Sequence, residues 1–348
     1  IGYFHHQGCC QLPIDLKRVT DTLSNLGQSP NVGAALIVSL GCEGTDHERM
    51  VEEIRAAGKP VEIIRIQELG GTSRAIQAGI DAAQRLVQEI SGLQRETVDI
   101  SEVVMAIKCG ASDTTSGMAS NCVIGYVADK LVDLGATVVF GETTEFLGGE
   151  HILAKRAVGG ENGPIGQKIY EIVDRMEKRA KSVGEDMRGG QPTPGNIAGG
   201  LSSIEEKSLG AIVKSGHRPI QGVLEYCDRV DRQKGLWIKD APGREPEILT
   251  GMAATGAQFM MFSTGRGAPQ GFPSMPVIKI CGNPHTYERM QHDMDLNAGR
   301  IIQGEKTIEE VGEEAFRLML DVLSGKMTKN EALGYYGSMD IFCLGPVI

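Results

Sequence analysis

The feature that most constrains the fold of this chain is a unit of apolar strand, polar loop and helix that repeats through its first half. The repeats predict strands, some with the loop that follows, at 34–46, 60–66, 103–108 and 137–145, and helices at 46–58, 72–90 and 120–135. The first of these helices has both end signals, because Asp46 can cap it and Gly58 can end it. This alternation is typical of α/β proteins with a mainly parallel sheet.

A segment rich in glycine and proline, 185–210, separates this pattern from a second one. Helix, strand and loop follow again at 248–267, and an amphipathic helix is predicted at 307–326. A chain of 348 residues is long enough for about two domains of ordinary size. We therefore predict two α/β domains, 1–184 and 185–348, with mainly parallel sheets flanked by helices and a doubly wound, Rossmann-like character.

Charge and motif content exclude several classes of function. The net charge of −10 is the opposite of a basic nucleic-acid footprint, and no apolar run is long enough to span a membrane. No phosphate-binding P-loop, dinucleotide fingerprint or GxSxG elbow is present, which disfavours ATP, NAD and serine hydrolase chemistry. The eight cysteines form no dense disulfide framework, so we expect reduced thiols and a cytoplasmic protein.

The loop "KCGASDTTSG" at 108–117 follows a predicted strand and combines polar side chains that a hydrophobic core does not usually contain. It holds the thiol of Cys109, the carboxylate of Asp113 and the hydroxyls of Ser112 and Ser116. Its glycines allow the backbone to close around a small polar ligand, and the next helix N-terminus attracts an anion. The alternative is an ordinary turn in which Asp113 or Ser116 caps that helix, which leaves the thiol and the density of hydroxyls unexplained.

Two other polar loops also follow predicted strands, at the edge where open α/β sheets bind ligands. "GETTE" presents Glu142 and Glu145, whose carboxylates can ligate a divalent cation or exchange a proton. "GCEGTD" presents Cys42 as a metal ligand. The alternatives are solvated surface glutamates in the first loop and a simple helix cap at Asp46 in the second.

The segment "HHQGCC" near the start of the chain offers imidazole and thiol groups within a few residues. His6 and Cys9 form half of a site for a metal such as Fe(II), Mn(II) or Zn(II). The spacing is not that of a zinc finger, so a closed structural zinc site is not expected. Polar surface is the alternative for the histidine pair.

Three motifs of the second half supply further polar groups. "GNIAGGLSSIEEKSLG" contains Asn196 and Lys207, with a serine that can begin a capping box and amides that can approach a carboxylate. "STGRG" places Arg266, a planar donor to oxyanions, after a predicted strand, and "KICGN" places Asn283 after the next. A plain surface arginine is the alternative for Arg266.

Six motifs in sequence order together resemble the altronate/galactarate dehydratase family. They are "GCEGTD", "KCGASDTTSG", "GETTEFLGGE", "PGNIAGGLSSIEEKSLG", "PGREPEILTGMAATGAQ" and "FSTGRGAPQGFPSMPVIKICGN". The resemblance implies a lyase that eliminates the C3 substituent of a 2-hydroxy acid and uses a divalent metal, Fe(II) first and Mn(II) second. One branch, the large subunit of sulfolactate sulfo-lyase, expels sulfite instead of water.

Two departures from the family pattern leave the substrate open. Dehydratases of the family carry a small β-rich domain before the stretch that matches "IGYFHHQGCC". We expect either that a segment precedes residue 1 or that the small domain is a separate partner subunit. "HHQGCCQ" also differs from the His-x-x-Gly-Cys-Gly of galactarate enzymes. A homo-oligomer is expected in either case.

Motifs and resemblance together assign roles to thirteen residues. The predicted metal ligands are His6, Cys9, Cys42, Cys109 and Glu145. The predicted proton-transfer groups are Asp113, Glu142 and Lys207. The predicted substrate-binding residues are Ser112, Ser116, Asn196, Arg266 and Asn283.

The first function expected is a hydro-lyase that converts a sugar acid of the altronate or galactarate type into a 2-keto-3-deoxy acid. The alternatives are a carbon–sulfur lyase that forms pyruvate and sulfite from sulfolactate, and a non-catalytic subunit that binds a sugar acid. A cysteine acyl-transfer enzyme that uses Cys9 or Cys109 with a histidine is a further alternative.

Overall fold

Strands and helices alternate along almost the whole chain. The computed structural model describes residues 1–230 and 233–346. Within these ranges the strands are β1 (Ala35–Ser39), β2 (Val61–Arg65), β3 (Val104–Cys109), β4 (Thr137–Phe140), β5 (Ile220–Leu224), β6 (Gly235–Lys239), β7 (Phe259–Thr264), β8 (Val277–Cys281) and β9 (Leu296–Asn297). The helices there are α1 (Pro13–Gly27), α2 (His47–Ala56), α3 (Thr72–Ile90), α4 (Asn121–Asp133), α5 (Glu150–Arg156), α6 (Pro164–Ser182), α7 (Pro194–Ala198), α8 (Ile204–Ile212), α9 (Glu245–Ala254), α10 (Pro284–Arg289), α11 (Gly299–Ile302), α12 (Ile308–Leu323) and α13 (Lys329–Leu333).

These strands form two sheets, and every pairing between them is parallel. The small sheet contains β1 and β2. The large sheet has the order β5-β6-β4-β3-β7-β8-β9. The predicted α/β class with parallel sheets and flanking helices is therefore confirmed. No helix in the described part of the chain has the length and apolar character that a membrane span requires.

The large sheet takes strands from both sides of the predicted domain boundary. β3 and β4 precede residue 184, and they pair with β7 and β6, which follow it. The predicted junction between 184 and 185 thus falls among the residues that build one sheet. The small sheet has its own apolar contacts, centred on Val51, Ile54 and Val61.

Helices cover both faces of the large sheet. Residues of α4 and α12 pack on one face, and residues of α1 and α9 pack on the other. Because both faces are covered, the strands are apolar along their whole length instead of alternating, and all six residues of β7 are buried. Burial of a side chain such as Phe262 contributes about 1.5–3 kcal/mol to the stability.

Three fully buried lysines on the described strands are exceptions to this apolar interior. Lys108 on β3 and Lys279 on β8 lie on either side of Phe262 in the strand register, and Lys239 ends β6. Lys239 donates to the carbonyl oxygen of Asp228 at 2.8 Å, and burial lowers the pKa of its amine to about 7. Lys279 Nζ has no hydrogen-bond partner among the described residues, and burial lowers its pKa to about 8.

Replacing Lys279 by methionine is expected to stabilise the protein. The lowered pKa means that folding opposes protonation of this amine, a cost of up to about 3 kcal/mol near neutral pH. The cost is constant below pH 8 and disappears between pH 8 and 10.5, so wild-type stability gains this contribution as the pH rises through that window. In urea unfolding, Lys279→Met should have a higher free energy of unfolding than wild type at pH 7. This difference from wild type should become smaller above pH 8.

The exposed Lys17 offers the matched control, since Lys17→Met removes an ammonium that lies mainly in solvent. Its effect should stay within about 0.5 kcal/mol at every pH. Equal stability of Lys279→Met and wild type at pH 7 would contradict the cost assigned to this amine.

Candidate active site

Two polar loops lie side by side where β3 and β4 end. The parallel register pairs Ile107 with Phe140, so the residues that follow each strand leave the sheet together. Cys109 ends β3, and Glu142 and Glu145 lie in the turn after β4. Ligand atoms from these three buried side chains lie within 4.8 Å of one another, and we call them the ligand cluster.

Glu142 adopts a backbone conformation that is unusual for a residue with a side chain. Its φ of 71° and ψ of 64° are left-handed, which costs a non-glycine residue about 1–3 kcal/mol. The carboxylate is held at both oxygens: Oε1 accepts from Lys108 Nζ at 2.6 Å, and Oε2 accepts from the Cys109 amide at 2.8 Å. These contacts offset the strain and direct the carboxylate toward the thiol.

Cys109 and Glu145 form the second pair of the ligand cluster. The thiol Sγ donates to Glu145 Oε2 at 2.8 Å. Burial raises the pKa of Cys109 to about 12, and the charge of Glu145 adds to this effect. Burial acts to raise the pKa of Glu145 too, but the ammonium of Lys214, with a further contribution from Lys207, holds it at about 2. These shifts favour a protonated thiol beside an ionised carboxylate.

Lys214 completes the cluster, and the sequence analysis missed it. It lies in the turn Val213–Ser215, directly after α8, and is fully buried. Its Nζ lies 2.6 Å from Glu142 Oε2, 2.6 Å from Glu145 Oε2 and 3.2 Å from Cys109 Sγ. Lys108 was also given no role from the sequence, and it lies on β3 directly before Cys109. The available signal was a lysine inside an apolar run, "AIVKS" for Lys214 and "VMAIKC" for Lys108.

The buried charges of this group are balanced. Two ammonium groups, Lys108 and Lys214, face two carboxylates, Glu142 and Glu145, through ion pairs of 2.6 Å. Burial of unpaired ions costs several kcal/mol each, so removal of one partner leaves a large uncompensated penalty. Such a set of ionised groups in a protein interior is typical of functional sites.

The ligand cluster fits a divalent metal by its donor chemistry. One thiol sulfur and two carboxylates are ligands for ions such as Fe(II), Mn(II) and Zn(II), and thiolate ligation requires that the metal replace the thiol proton. Among the described residues, this is the one group of three or more His, Cys, Asp or Glu side chains within ligand distance.

A cavity of about 340 Å³ adjoins the ligand cluster. Its lining includes Ser112, Asp113, Ser116 and Lys207. Lys207 Nζ lies 3.8 Å from Glu145 Oε1, and Ser112 Oγ lies 3.8 Å from Cys109 Sγ. The wall of this pocket is therefore in direct contact with the buried cluster.

Asp113 connects the loops at three strand ends. Its carboxylate accepts from Thr115 Oγ1 at 2.6 Å, from the Ser116 amide at 3.0 Å and from Asn283 Nδ2 at 3.1 Å. It also lies against Gly265, where an added Cβ would be 1.9 Å from Asp113 Oδ1. Glycine at 265 is thus required for the loops after β3 and β7 to approach each other.

The other substrate-binding candidates surround the same loop. Asn196 Nδ2 donates to the carbonyl of Ser112 at 2.8 Å, and Asn196 also forms the capping box of α7. Asn283 caps α10. Arg266 donates its amide to Ala111 at 2.9 Å, while its exposed guanidinium makes no hydrogen bond to the part of the chain that is described. Their roles in substrate binding stay predictions.

His6, Cys9 and Cys42 lie outside the ligand cluster. All three are exposed, on the loop before α1 and the loop after β1. The amide of Gly44 donates to the carbonyl of Gly8 at 2.8 Å, which brings these two loops together. Among the described residues, none of the three is part of the group within ligand distance that contains Cys109 and Glu145. Metal binding by these three residues remains a prediction.

Comparison with known proteins covers nearly the whole chain. Residues 1–91 match the second domain of D-galactarate dehydratase/altronate hydrolase, and residues 100–345 match the C-terminal region of D-galactarate/altronate dehydratase. The beta subunit of (2R)-sulfolactate sulfo-lyase from Chromohalobacter salexigens is 38% identical over 332 residues, which are 95% of this chain and 84% of that subunit.

Two dehydratases are also similar over most of this chain. Galactarate dehydratase (L-threo-forming) from Escherichia coli is 36% identical over 336 residues, 94% of this chain and 63% of that enzyme. Altronate dehydratase from Bacillus subtilis is 33% identical over 331 residues, 94% of this chain and 64% of that enzyme. The chain thus spans less than two thirds of the length of these dehydratases. By these matches the chain belongs to the D-galactarate/altronate dehydratase family, a family of lyases that includes dehydratases and a carbon–sulfur lyase.

Proposed function

We propose that this chain catalyses elimination of the C3 substituent from a 2-hydroxy acid, with loss of water from a sugar acid as the first candidate reaction. The product would be a 2-keto-3-deoxy acid. The observation that carries the proposal is the pocket wall at which Lys207 and Ser112 contact the buried ligand cluster. A lysine that lines the cavity thus contacts a buried set of metal-type ligands behind the pocket wall, which supports the proposal.

Removal of the C2 proton requires catalysis, because this proton of a hydroxy carboxylate is only weakly acidic. A divalent cation held by Cys109, Glu142 and Glu145, Fe(II) or Mn(II), would stabilise the negative charge that develops when this proton leaves. Lys207 lines the cavity and is the side chain that exchanges a proton with the substrate. Its Nζ also donates to Gln191 Oε1 at 2.6 Å, which orients the amine.

The pocket suits a small polar acid. Its volume of about 340 Å³ lies within the usual range of about 300–1,000 Å³ for small-molecule sites. The hydroxyls of Ser112 and Ser116 can bind substrate oxygens. Asp113 orders the loop that carries both serines, and Arg266 offers a guanidinium at a neighbouring strand end.

Elimination of sulfite from sulfolactate is the second candidate, favoured by 38% identity to a sulfo-lyase beta subunit over 84% of its length. Sulfite is a better leaving group than hydroxide, so this reaction needs little proton donation at C3. Because that relative is named as a subunit, we propose that a small β-rich partner subunit completes the enzyme, which then assembles as an oligomer.

The substrate question is tested by anaerobic assays with galactarate, altronate and sulfolactate. The chain is measured with Fe(II), with Mn(II) and with a chelator, alone and with the small β-rich domain of a family dehydratase. We expect 2-keto acid from one substrate only, and none in chelator. Release of sulfite with pyruvate selects the second candidate. Substrate binding without any product, under all conditions, would instead identify a non-catalytic binding subunit.

A further inference from the structure

The ammonium of Lys214 contacts all three side chains that would ligate a metal. Its Nζ lies 2.6 Å from one oxygen of Glu142, 2.6 Å from one oxygen of Glu145 and 3.2 Å from the sulfur of Cys109. A cation that bound these same two oxygens and the sulfur would occupy the space where this ammonium lies. We infer that Lys214 is an internal cation that occupies the ligand cluster in the metal-free protein and competes with the divalent metal.

Burial of the cluster explains why a cation is needed there. Glu142 and Glu145 are fully or almost fully buried, and both carboxylates approach the same point. Two carboxylates that converge without a positive charge would repel each other in a medium of low dielectric constant. Lys214 removes that repulsion and keeps the three ligand side chains in place before a metal arrives.

Lys108 differs from Lys214 in a way that provides an internal comparison. Its Nζ binds the other oxygen of Glu142, Oε1, at 2.6 Å and the carbonyls of Cys109 and Gly243 at 2.9 and 3.2 Å. Lys108 therefore supports Glu142 from the side, whereas Lys214 lies between the ligands. Both lysines neutralise buried carboxylate charge, but only the contacts of Lys214 include Glu145 and the thiol of Cys109.

Metal entry then has a defined cost in this chain. A divalent ion has to break the contacts of Lys214 to two carboxylates and a sulfur before it can bind them. Hydrogen bonds to charged groups are the stronger kind in proteins, so removal of this competitor should tighten metal binding about tenfold or more. Lys214 follows α8, the helix that carries Lys207, so a shift of Lys214 would be transmitted to the pocket wall.

The test compares metal binding and thermal unfolding of wild type, Lys214→Met and Lys108→Met, without any assay of turnover. In chelator, Lys214→Met should unfold on the order of 10 °C below wild type, because two buried carboxylates lose their shared cation. Saturating Mn(II) should restore most of that loss, and calorimetric titration should show Mn(II) binding at least tenfold tighter than in wild type. Anaerobic titration with Fe(II) repeats the measurement with the second metal.

Lys108→Met is the matched control, since it also removes a buried ammonium from Glu142. We expect it to be destabilised in chelator but to bind Mn(II) no more tightly than wild type. Should Lys214→Met fail to fold, Lys214→Gln keeps a neutral donor at this position and should still bind Mn(II) more tightly than wild type. Metal affinity in the folded Lys214 variant equal to or weaker than wild type would overturn the inference.

This inference rests on the proposed metal site, but its failure can be told apart from failure of the proposed function. If Lys214→Met binds Mn(II) more tightly and wild type still converts none of the candidate acids, the competition is established and the elimination reaction is rejected. If wild type shows metal-dependent turnover while the Lys214 variants bind Mn(II) no more tightly, the reaction stands and the competition is rejected. Absence of metal binding in every variant rejects the competition directly.

Discussion

Glu145→Gln is expected to lower kcat for the elimination reaction about a thousandfold and to reduce the bound metal to a trace. The substitution removes one of three ligands and replaces a charged oxygen, which accepts from the Cys109 thiol and from Lys214, by a neutral amide. Loss of charge stabilisation at the developing oxyanion costs about 100- to 1,000-fold, and loss of the metal adds to it. Metal analysis of the purified variant and steady-state rates measure the two effects separately.

The control for this experiment is Glu205→Gln, which changes a partly exposed glutamate on α8, the helix that also carries Lys207. Within the described residues its one ion pair is with the partly exposed Arg188 at 3.3 Å, so activity and metal content should match wild type. Wild-type turnover and full metal content in Glu145→Gln would remove Glu145 from the site.

Lys207→Met is expected to lower kcat about 100- to 10,000-fold while the metal content stays at the wild-type level. The amine lines the pocket and lies 3.8 Å from Glu145 Oε1, so its loss removes the proton-transfer group without removing a ligand. Exchange of the substrate C2 proton with deuterium oxide, followed by NMR, should stop in this variant. This readout is independent of the later departure of the C3 substituent.

An exposed lysine of a different helix serves as the comparison: Lys178→Met on α6 should keep both turnover and C2 exchange. If Lys207→Met retains exchange within about fivefold of wild type, proton transfer belongs to Asp113 or Glu142. Asp113→Asn and Glu142→Gln would then be compared by the same exchange measurement.

The sequence pointed to two loops that the structure brings together, but not to the full set of side chains around them. "KCGASDTTSG" and "GETTE" could be identified because a strand followed by a polar loop indicates the ligand-binding edge of a parallel sheet. β3 and β4 are neighbours in the large sheet, so Cys109 meets Glu142 and Glu145 as that rule implies. "GCEGTD" satisfied the same rule, but its strand belongs to the small sheet, and Cys42 is not in the group of ligands around Cys109.

Lys214 and Lys108 were missed for a physical reason. Lys214 lies outside the polar loop motifs, and Lys108 ends the apolar run that leads into one. A lysine beside apolar residues is usually explained by an ammonium that reaches solvent. What makes them part of the site is complete burial beside carboxylates that are distant in sequence. Asn196 and Asn283, by contrast, lie in motifs that the sequence made visible. In the structure their side chains cap α7 and α10 and also contact the loop around Ser112 and Asp113.

The amino-acid sequence by itself determined the α/β class, the parallel strands, the strand-end loops and the family. These features depend on local patterns: apolar runs of strand length, helix caps, and the order of motifs along the chain. Tertiary structure alone decided which loops share a pocket, that residues on both sides of 184 build one sheet, and that Lys214 lies among the ligands. Those outcomes depend on the order of strands in the sheet and on the pairing of buried charges, which link residues far apart in sequence.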